Sequence, residues 1–265
     1  MELALSADWF LAGDPASSLI ANSLLFLLGV FVGILNVVAG GGSFLTLPLL
    51  IFLGLPPSVA NGTNRVGIFF QNLVAVWSFH RHKVLDWQAL RWAVMPAVAG
   101  APLGTWLALS LQEATFQKLL AFFMVGITLW TLWGPQGGRP MAGTHSSPVR
   151  GVITASGFFL IGVYGGFVQA GVGFLILAMT SVLGLNLVQG NGVKVLTVLG
   201  FTSLSLLLFV WQGKVHWPLG LALAGGTVLG GLIGVRLTIL KGHEWVRHVV
   251  TVMVIVFALR LWFTA

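Results

Sequence analysis

The stretch Gly33–Leu50, GILNVVAGGGSFLTLPLL, decides the fold of this chain because a glycine run interrupts an otherwise apolar sequence. The apolar run after the glycines, residues 44–54, has 11 residues and would form about 16 Å of helix. A hydrocarbon core is about 30 Å thick, so this segment cannot cross a bilayer alone. The sequence therefore predicts a short helix that begins inside a membrane, from flexible glycine backbone.

The whole chain has the composition of a membrane protein. Of its 265 residues, 57% are hydrophobic and only 7% are charged, and the mean hydropathy is +0.98. Soluble domains carry about 25% charged residues, so the composition argues strongly against a water-soluble fold. The net charge of +7 comes from Lys and Arg residues scattered between apolar runs. This is not the continuous basic face of a nucleic-acid-binding protein, and we predict no nucleic-acid partner.

The apolar runs fall into two sets of five, with the same order and similar lengths. The first set occupies residues 18–39, 44–54, 61–79, 88–109 and 115–134. The second set occupies residues 151–169, 174–184, 190–211, 217–240 and 246–263. We therefore predict an all-α polytopic membrane protein of two repeats, each with a short half-helix and about four spanning helices.

Individual residues recur between the two sets as well. Four residues of the first set reappear 130 positions later, where Phe44, Gly54, Asn61 and Gly62 are matched by Phe174, Gly184, Asn191 and Gly192. Lys83-Val84 also matches Lys214-Val215, after a one-residue slip. A stretch rich in Gly, Pro and Ser separates the sets. The predicted parts are a non-cytoplasmic N-terminal segment (1–17), a first transmembrane repeat (18–134), an inter-repeat loop (135–149) and a second transmembrane repeat (150–265).

An odd number of segments in each repeat predicts that the two repeats have inverted topology in the membrane. With the N-terminus outside, nine basic residues are predicted near the cytoplasmic side: Arg81, Lys83, Arg91, Arg139, Arg150, Lys194, Arg236, Lys241 and Arg247. Four are predicted elsewhere: Arg65, Lys118, Lys214 and Arg260. This excess agrees with the positive-inside rule. Parallel repeats are the alternative, if each short segment merely continues the helix before it, and the charge excess would then weaken.

Both short helices are predicted to start from flexible backbone within the membrane. Residues 39–43, AGGGS, precede the first helix, and residues 169–173, QAGVG, precede the second, with Gln169 and Val172 at the places of Ala39 and Gly42. Helix N-termini expose unpaired N–H groups and partial positive charge, so they can hold an anion by backbone alone. A simpler interpretation is close helix packing. The candidate binding residues here are Gly40, Gly41, Gly42, Ser43, Gln169, Gly171 and Gly173.

A polar stripe follows each short helix along one helical face. Its members are Asn61, Asn64, Arg65, Gln71 and Asn72 in the first repeat and Asn191, Lys194, Thr202 and Ser205 in the second. An embedded cation costs roughly 3 kcal/mol, and no Asp or Glu lies inside any predicted span. Arg65 and Lys194 are therefore expected to face a ligand anion, a carbonyl cluster or water, although snorkelling to the interface stays open as an alternative. The candidate binding residues of the stripe are Asn61, Asn64, Arg65, Asn191 and Lys194, and the amides among them could instead only join helices.

The sequence gives no signal of enzymatic, metal-dependent or cofactor-dependent chemistry. The chain has no cysteine, which excludes thiolate metal ligands and cysteine nucleophiles, and no HExxH, GxSxG or Walker sequence. His80, His82 and His216 fall in predicted loops, where solvated side chains are expected. The lack of embedded carboxylates also argues against a cation channel. We predict no catalytic residues, no metal and no cofactor.

The stretch 33–50, followed by Leu55-Pro56-Pro57 and by residues 60–65, ANGTNR, strongly resembles the sulfite exporter TauE/SafE family of membrane permeases. The resemblance covers nearly the whole chain, with weaker echoes at residues 169–174 and 190–194. It implies transport of sulfite, thiosulfate, organosulfonates or related anions, by import or by export. We accordingly expect a multi-pass protein of the plasma membrane, which is the inner membrane of a prokaryote.

The leading hypothesis is a secondary transporter in which the two half-helix N-termini and the candidate residues form a central anion site. Rocking of one repeat against the other would give alternating access. The predicted partners are a small anionic solute and the lipid bilayer, and no sequence feature indicates a homo-oligomer. The alternative is a membrane-embedded accessory or enzyme subunit that binds lipid or a partner protein through its basic loops, without solute flux.

Overall fold

The computed structural model describes the backbone of residues 15–133 and 148–264, and the side chains within 19–129 and 150–240 apart from residues 21 and 128. This part of the chain is helical throughout. Its α-helices are α1 (Pro15–Val38), α2 (Ser43–Phe52), α3 (Pro57–Arg81), α4 (Met95–Ser110), α5 (Glu113–Trp133), α6 (Pro148–Phe167), α7 (Val172–Val182), α8 (Leu187–Trp211) and α9 (Trp217–Thr264), and a π-helical turn, Leu90–Val94, leads into α4. The predicted segment 1–17 and loop 135–149 lie almost wholly outside the described residues.

The two short helices lie where the sequence predicts them. Helices α2 and α7 have 10 and 11 residues, and each follows a four-residue connection that we call the first re-entrant loop (39–42) and the second re-entrant loop (168–171). Within the residues whose side chains are described, four helical stretches are long and apolar enough to cross a membrane: Leu90–Ser110, Arg150–Phe167, Leu187–Trp211 and Trp217–Leu240. The prediction of an all-α polytopic membrane protein with short half-helices is confirmed.

Helix α9 differs from the predicted spans. The sequence predicts separate spans over residues 217–240 and 246–263, whereas the backbone forms one helix over Trp217–Thr264. The residues between the two apolar runs are Lys241 to Trp245, which contain no proline and a single glycine. Because a helix is normally broken or kinked at proline or at paired small residues, a change of polarity alone does not end it here.

The repeat is visible in the backbone turns. After α3, the amides of His82, Lys83 and Val84 donate to the carbonyls of Ser78, His80 and Phe79. After α8, the amides of Gln212, Gly213 and Lys214 donate to the carbonyls 130 positions beyond those three, at Leu208, Val210 and Phe209. Lys83 and Gly213 both have positive φ, +56° and +65°. Lys83 is therefore the counterpart of Gly213, and the slipped match of Lys83 to Lys214 is wrong.

The re-entrant loops follow a slightly different offset. Gly40 and Gln169 both have positive φ, and the amide of each donates to the carbonyl five residues earlier, at Leu35 and at Tyr164. These two residues are 129 positions apart, so Gln169 takes the place of Gly40. The sequence comparison that set Gln169 against Ala39 is wrong by one residue, because a left-handed glutamine is uncommon and its place is not readable from residue type.

The first helix of each repeat packs against the fourth helix of the other. A Cβ built on Gly29 of α1 would lie 3.1 Å from the Cα of Gly226, and one on Gly33 would lie 3.0 Å from the Cα of Gly230. Gly100 and Gly104 of α4 approach Phe159 and Val163 of α6 in the same way. Residue numbers rise together in both pairs, so α1 runs parallel to α9 and α4 runs parallel to α6.

Helices α3 and α8, which are counterparts in the two repeats, lie side by side at the centre. Arg65 near the start of α3 contacts Phe209 near the end of α8. A Cβ on Gly192, near the start of α8, would contact Leu85 just after α3. The start of α3 thus lies beside the end of α8, and the start of α8 lies beside the end of α3, so these two helices run in opposite directions. The rings of Phe44 and Phe174, also counterparts, stack across the same centre at 6.2 Å.

Candidate anion site between the two re-entrant loops

The two re-entrant helices meet backbone to backbone. A Cβ on Gly40 would lie 2.5 Å from the Cα of Gly173, and a Cβ on Gly173 would lie 2.3 Å from the Cα of Gly40. No residue with a side chain fits either place without a backbone shift. The start of α7 is thereby held against the first re-entrant loop, just before α2 begins.

A cavity, which we call the central cavity, lies at this meeting point between α3 and α8. Five of the predicted site residues line it, and these are Gly40, Ser43, Gln169, Gly173 and Lys194. Its other lining residues are Asn36, Ile68, Gln71, Asn72, Val172 and Val198. Its volume is about 20 Å³. Since one water needs about 10 to 15 Å³, the cavity is too small for an oxyanion of four heavy atoms.

Lys194 lies at the wall of the central cavity and is 2% exposed. Its ammonium donates to the carbonyls of Asn36 and Val37, at 2.9 and 2.6 Å, and to the side-chain oxygen of Asn191. Helix α1 ends at Val38, so these carbonyls belong to its last turn, where they lack intrahelical partners and carry partial negative charge. Lys194 of the second repeat thus caps the broken first helix of the first repeat.

Arg65 makes the corresponding cap in the other direction. It is fully buried, and its Nη2 donates to the carbonyl of Gly166 at 2.6 Å, in the last turn of α6. Its guanidinium also lies 4.8 Å from the ring centre of Phe209. Arg65 does not line the central cavity. The cation–ring contact and the helix cap together explain how a buried cation is accommodated without a carboxylate.

The paired asparagines repeat the same pattern. Asn61 donates to the carbonyl of Phe167 at 2.8 Å, and Asn191 donates to the carbonyl of Val38 at 3.5 Å. Phe167 and Val38 are the final residues of α6 and α1. Each repeat therefore supplies one cation and one amide that satisfy the interrupted helix of the other repeat.

This arrangement decides between the interpretations of the two cations. Both side chains are buried, so snorkelling to the interface is wrong. The sequence predicted a ligand anion, a carbonyl cluster or water beside each cation, and both Arg65 and Lys194 donate to backbone carbonyls. Lys194 lies at the buried centre, beside the last turn of α1.

The remaining predicted residues support the loops and do not line the central cavity. Asn64 donates to the hydroxyl of Ser43 at 3.2 Å and accepts from Thr46 at 2.6 Å, which joins α3 to the start of α2. The amide of Gly42 donates to Asn36 at 2.8 Å. The predicted residues outside the cavity lining are Gly41, Gly42, Asn61, Asn64, Arg65, Gly171 and Asn191.

Several buried polar groups at this centre have no hydrogen-bond partner among the described residues. They include the side-chain oxygens of Asn61 and Gln169 and the Nε and Nη1 groups of Arg65. The amide nitrogen of Gln169 is satisfied, because it donates to Thr202 at 2.6 Å. An unpaired buried group costs about 1 to 3 kcal/mol. The centre therefore contains donors and acceptors without partners among the described residues. One of them, the side-chain oxygen of Gln169, belongs to a residue that lines the central cavity.

Three polar residues of the central cavity, Asn36, Gln71 and Asn72, were not among the predicted site residues. Asn36 donates to Gln71 at 3.2 Å, and Gln71 donates weakly to the carbonyl of Gly33 at 3.5 Å. Gln71 and Asn72 continue the face of Asn64 and Arg65, so the stripe already contained their signal. Asn36 carries a weaker signal, as a single amide in the last turn of an apolar helix.

A second polar cluster lies at the end of the molecule where α3, α5 and α9 begin. The amide and hydroxyl of Ser58 both donate to the carboxylate of Glu113, and Lys214 pairs with the same carboxylate at 3.2 Å. Glu113 precedes the predicted span of residues 115–134. Burial alone would raise the pKa of Glu113, but the hydrogen bonds from Ser58 and the interaction with Lys214 outweigh it and hold that pKa below 4.5. We call these residues the Glu113 cluster.

Crossing helices, two broken helices that meet at mid-length and a buried polar centre define a polytopic membrane protein of the transporter type. The sulfite exporter TauE/SafE family model matches residues 25–261. The chain belongs to this family, which confirms the resemblance read from the glycine run and the ANGTNR segment.

Curated relatives agree with this assignment. A probable membrane transporter protein of Haemophilus influenzae is 30% identical over 87% of this chain and 90% of its own length. A probable membrane transporter protein of a Sinorhizobium species is 27% identical over 94% of both chains. The probable membrane transporter protein YfcA of Escherichia coli K12 is 27% identical over 90% of this chain and 88% of its own. No solved structure matches the chain.

Proposed function

We propose that this protein is a secondary transporter of small sulfur-containing anions, such as sulfite, thiosulfate or organosulfonates, and not an enzyme. The observation that carries the proposal is the central cavity, where two helix N-termini and Lys194 converge without any carboxylate. First-turn N–H groups and an ammonium both favour negative charge. The sulfur chemistry rests on the name of the family and not on the geometry.

The transported anion would compete with the helix carbonyls for Lys194. In the closed cavity the ammonium is occupied by the carbonyls of Asn36 and Val37. An oxyanion has a full charge where a helix C-terminus has about half of one, so it would draw Lys194 toward the cavity once space is available. The unpaired oxygen of Gln169 would suit a protonated oxyanion, which would bring its own proton without an acidic side chain.

Alternating access would require the central cavity to enlarge. The close glycine contacts of α1 with α9 and of α4 with α6 favour two moving bodies that each mix helices of both repeats, α1/α3/α9 and α4/α6/α8. Capping interactions cross between these bodies, from Arg65 and Asn61 to the end of α6 and from Lys194 and Asn191 to the end of α1. The opposite directions of α3 and α8 support inverted repeats, in which opening one face closes the other.

The orientation follows from the described basic residues. Five of them lie at the end where α3 finishes, and these are Arg81, Lys83, Arg91, Arg150 and Arg236. Lys118 and Lys214 lie toward the other end. By the positive-inside rule the first end faces the cytoplasm of a prokaryotic inner membrane, and the Glu113 cluster faces outward.

Flux measurements in proteoliposomes test the proposal. Wild-type protein should transport sulfite, thiosulfate or a sulfonate faster than it transports acetate. Lys194→Gln should lower that flux at least tenfold, because a hydrogen bond to a charged group contributes about 1.5 to 3 kcal/mol. Arg65→Gln should lower it less, since Arg65 lies outside the cavity lining.

Lys118→Gln is the matched control, because it removes one positive charge from an exposed position in α5. Each variant must elute as a monodisperse peak so that loss of flux is not loss of fold. Wild-type flux in both Lys194→Gln and Arg65→Gln would overturn the site. A wild-type protein that moves none of these anions would favour the alternative of an accessory or enzyme subunit.

A further inference from the structure

A second and larger cavity, which we call the basic cavity, lies between the last turn of α3 and the middle of α9. Its lining consists of Trp77, Ser78, Arg81, His82, Leu232 and Arg236. Its volume is about 390 Å³, against about 20 Å³ for the central cavity. This volume falls in the range of small-ligand pockets, about 300 to 1,000 Å³.

The charge of this lining has one sign. Arg81 and Arg236 bring two guanidinium groups from different helices, and no Asp or Glu lines the cavity. No salt bridge occupies either arginine among the described residues. Two separated guanidinium groups around one space are suited to the several oxygens of a phosphate, which they bind through charge-assisted hydrogen bonds.

Local contacts leave this charge available. The Nδ1 atom of His82 lies 2.7 Å from the carbonyl of Ser78, so the last turn of α3 is capped by the histidine and not by Arg81. Arg81 instead lies over the ring of Trp77, 5.0 Å from its centre, which orients the guanidinium without neutralising it. Trp77 itself is 54% exposed, as is typical of tryptophan at a membrane interface.

We propose that the basic cavity binds a phosphate group, with its oxygens between Arg81 and Arg236 and its substituent along Trp77 and Leu232. An apolar wall beside the two cations fits the phosphodiester of an anionic lipid head group. A free phosphate offers the same oxygens without using that wall. This site is separate from the central cavity, and its occupancy does not depend on the proposed transport function.

Binding to purified protein in neutral detergent tests the proposal, by native mass spectrometry and by thermal shift. The probes are short-chain phosphatidylglycerol, phosphatidylcholine as the zwitterionic lipid, and inorganic phosphate. Phosphatidylglycerol should bind and raise the melting temperature more than phosphatidylcholine does. Arg81→Gln and Arg236→Gln should each weaken its binding about fivefold, and together more than tenfold.

Lys83→Gln is the matched control, since it removes one charge from the same loop but does not line the cavity. It should bind phosphatidylglycerol as wild type does. Equal weakening by Lys83→Gln would mean attraction to general surface charge and would overturn the site, as would wild-type binding in the double arginine variant. Inorganic phosphate that binds as tightly, with the same arginine dependence, would support the site and assign it to a soluble phosphate.

Discussion

The first and second re-entrant loops begin with the same backbone turn but end differently and carry different side chains. Gly42, just before α2, has φ −60°, whereas Gly171, just before α7, has φ +71°. Gly40 has φ +88° in the first loop, and Gln169 has φ +67° at the same place in the second. Glycine adopts this conformation without steric penalty, whereas another L-residue loses about 1 to 2 kcal/mol. The second repeat thus tolerates strained backbone at the point where it places an amide side chain beside the central cavity.

The two buried cations, Arg65 and Lys194, also differ between the repeats in their relation to the central cavity. Both cap an interrupted helix of the opposite repeat, yet Lys194 lines the central cavity and Arg65 does not. The duplicated backbone therefore supplies two broken helices, while the side chains available to a ligand come unequally from the two repeats.

The largest effect on stability is expected from disrupting the contact between Gly40 of the first repeat and Gly173 of the second. Gly173→Ala places a Cβ 2.3 Å from the backbone of Gly40. Because the obstacle is backbone and not a flexible side-chain tip, α7 and the first re-entrant loop must separate, and overpacking of this kind costs about 1 to 3 kcal/mol or more. We expect a melting temperature several degrees lower in detergent, measured by the intrinsic fluorescence of the tryptophans.

Gly126→Ala is the control for this substitution. Gly126 lies in helix α5, and a Cβ there meets nothing within 4 Å. Alanine should therefore leave the melting temperature unchanged or raise it slightly, since it has the higher helix propensity. If Gly173→Ala has the melting temperature of the wild type, Gly40 and Gly173 do not lie in contact as described.

Much of this fold could be predicted because the controlling signals are local. The length of residues 44–54 limits α2 to half a membrane, and the recurrence of Phe44 and Asn61 at Phe174 and Asn191 places α7 and α8. The helical spacing of Asn64, Arg65 and Gln71 gives the polar face. These signals depend on periodicity and residue type, which a single sequence contains.

The partners of the polar residues could not be predicted. Lys194 bonds to carbonyls 157 and 158 positions away, and backbone carbonyls leave no mark in residue type. The place of Gln169 was misjudged for a related reason, since the one-residue change of offset inside the loop depends on φ angles. Long-range packing and backbone conformation, and not local propensity, decide both features.

A smaller effect on the free energy of unfolding is expected from replacing Gln169 by glycine, the residue at the corresponding position of the first re-entrant loop. Gln169→Gly relieves the strain of positive φ, about 1 to 2 kcal/mol, but loses the hydrogen bond to Thr202, about 1 kcal/mol. The two changes nearly cancel, so the free energy of unfolding should change by less than about 1 kcal/mol. Thr202→Val removes the same hydrogen bond without relieving strain, and should destabilise by about 1 to 3 kcal/mol because the amide of Gln169 is left unpaired.

The comparison of these two variants is the measurement, by unfolding in mixed micelles at matched denaturant activity. Thr202→Val must be less stable than Gln169→Gly if strain is present at the second loop. The reverse order would mean that the loop holds Gln169 without strain. In that case the two re-entrant loops would differ in sequence alone and not in energy.

The smallest effect concerns the Glu113 cluster, which joins Ser58 and Glu113 of the first repeat to Lys214 of the second. The pKa of Glu113 in the folded protein is held below 4.5. A carboxyl with a lowered folded-state pKa contributes stability above its unfolded pKa and loses it as pH falls through the folded value. The two charged side chains are 37% and 40% exposed, so the ion pair contributes at most about 1 kcal/mol.

We therefore expect the wild-type protein to lose a small part of its stability as the pH falls below 4.5, and Glu113→Gln to lose less over the same range. The glutamine variant should also be slightly less stable than wild type at neutral pH. Asp86→Asn is the matched control, because Asp86 is exposed and its carboxylate accepts a local hydrogen bond from the amide of Gln88, two residues away. If Asp86→Asn flattens the acid response as much as Glu113→Gln does, the response belongs to surface carboxylates in general. A response specific to Glu113 would instead show that the ion pair between Glu113 of the first repeat and Lys214 of the second contributes to stability.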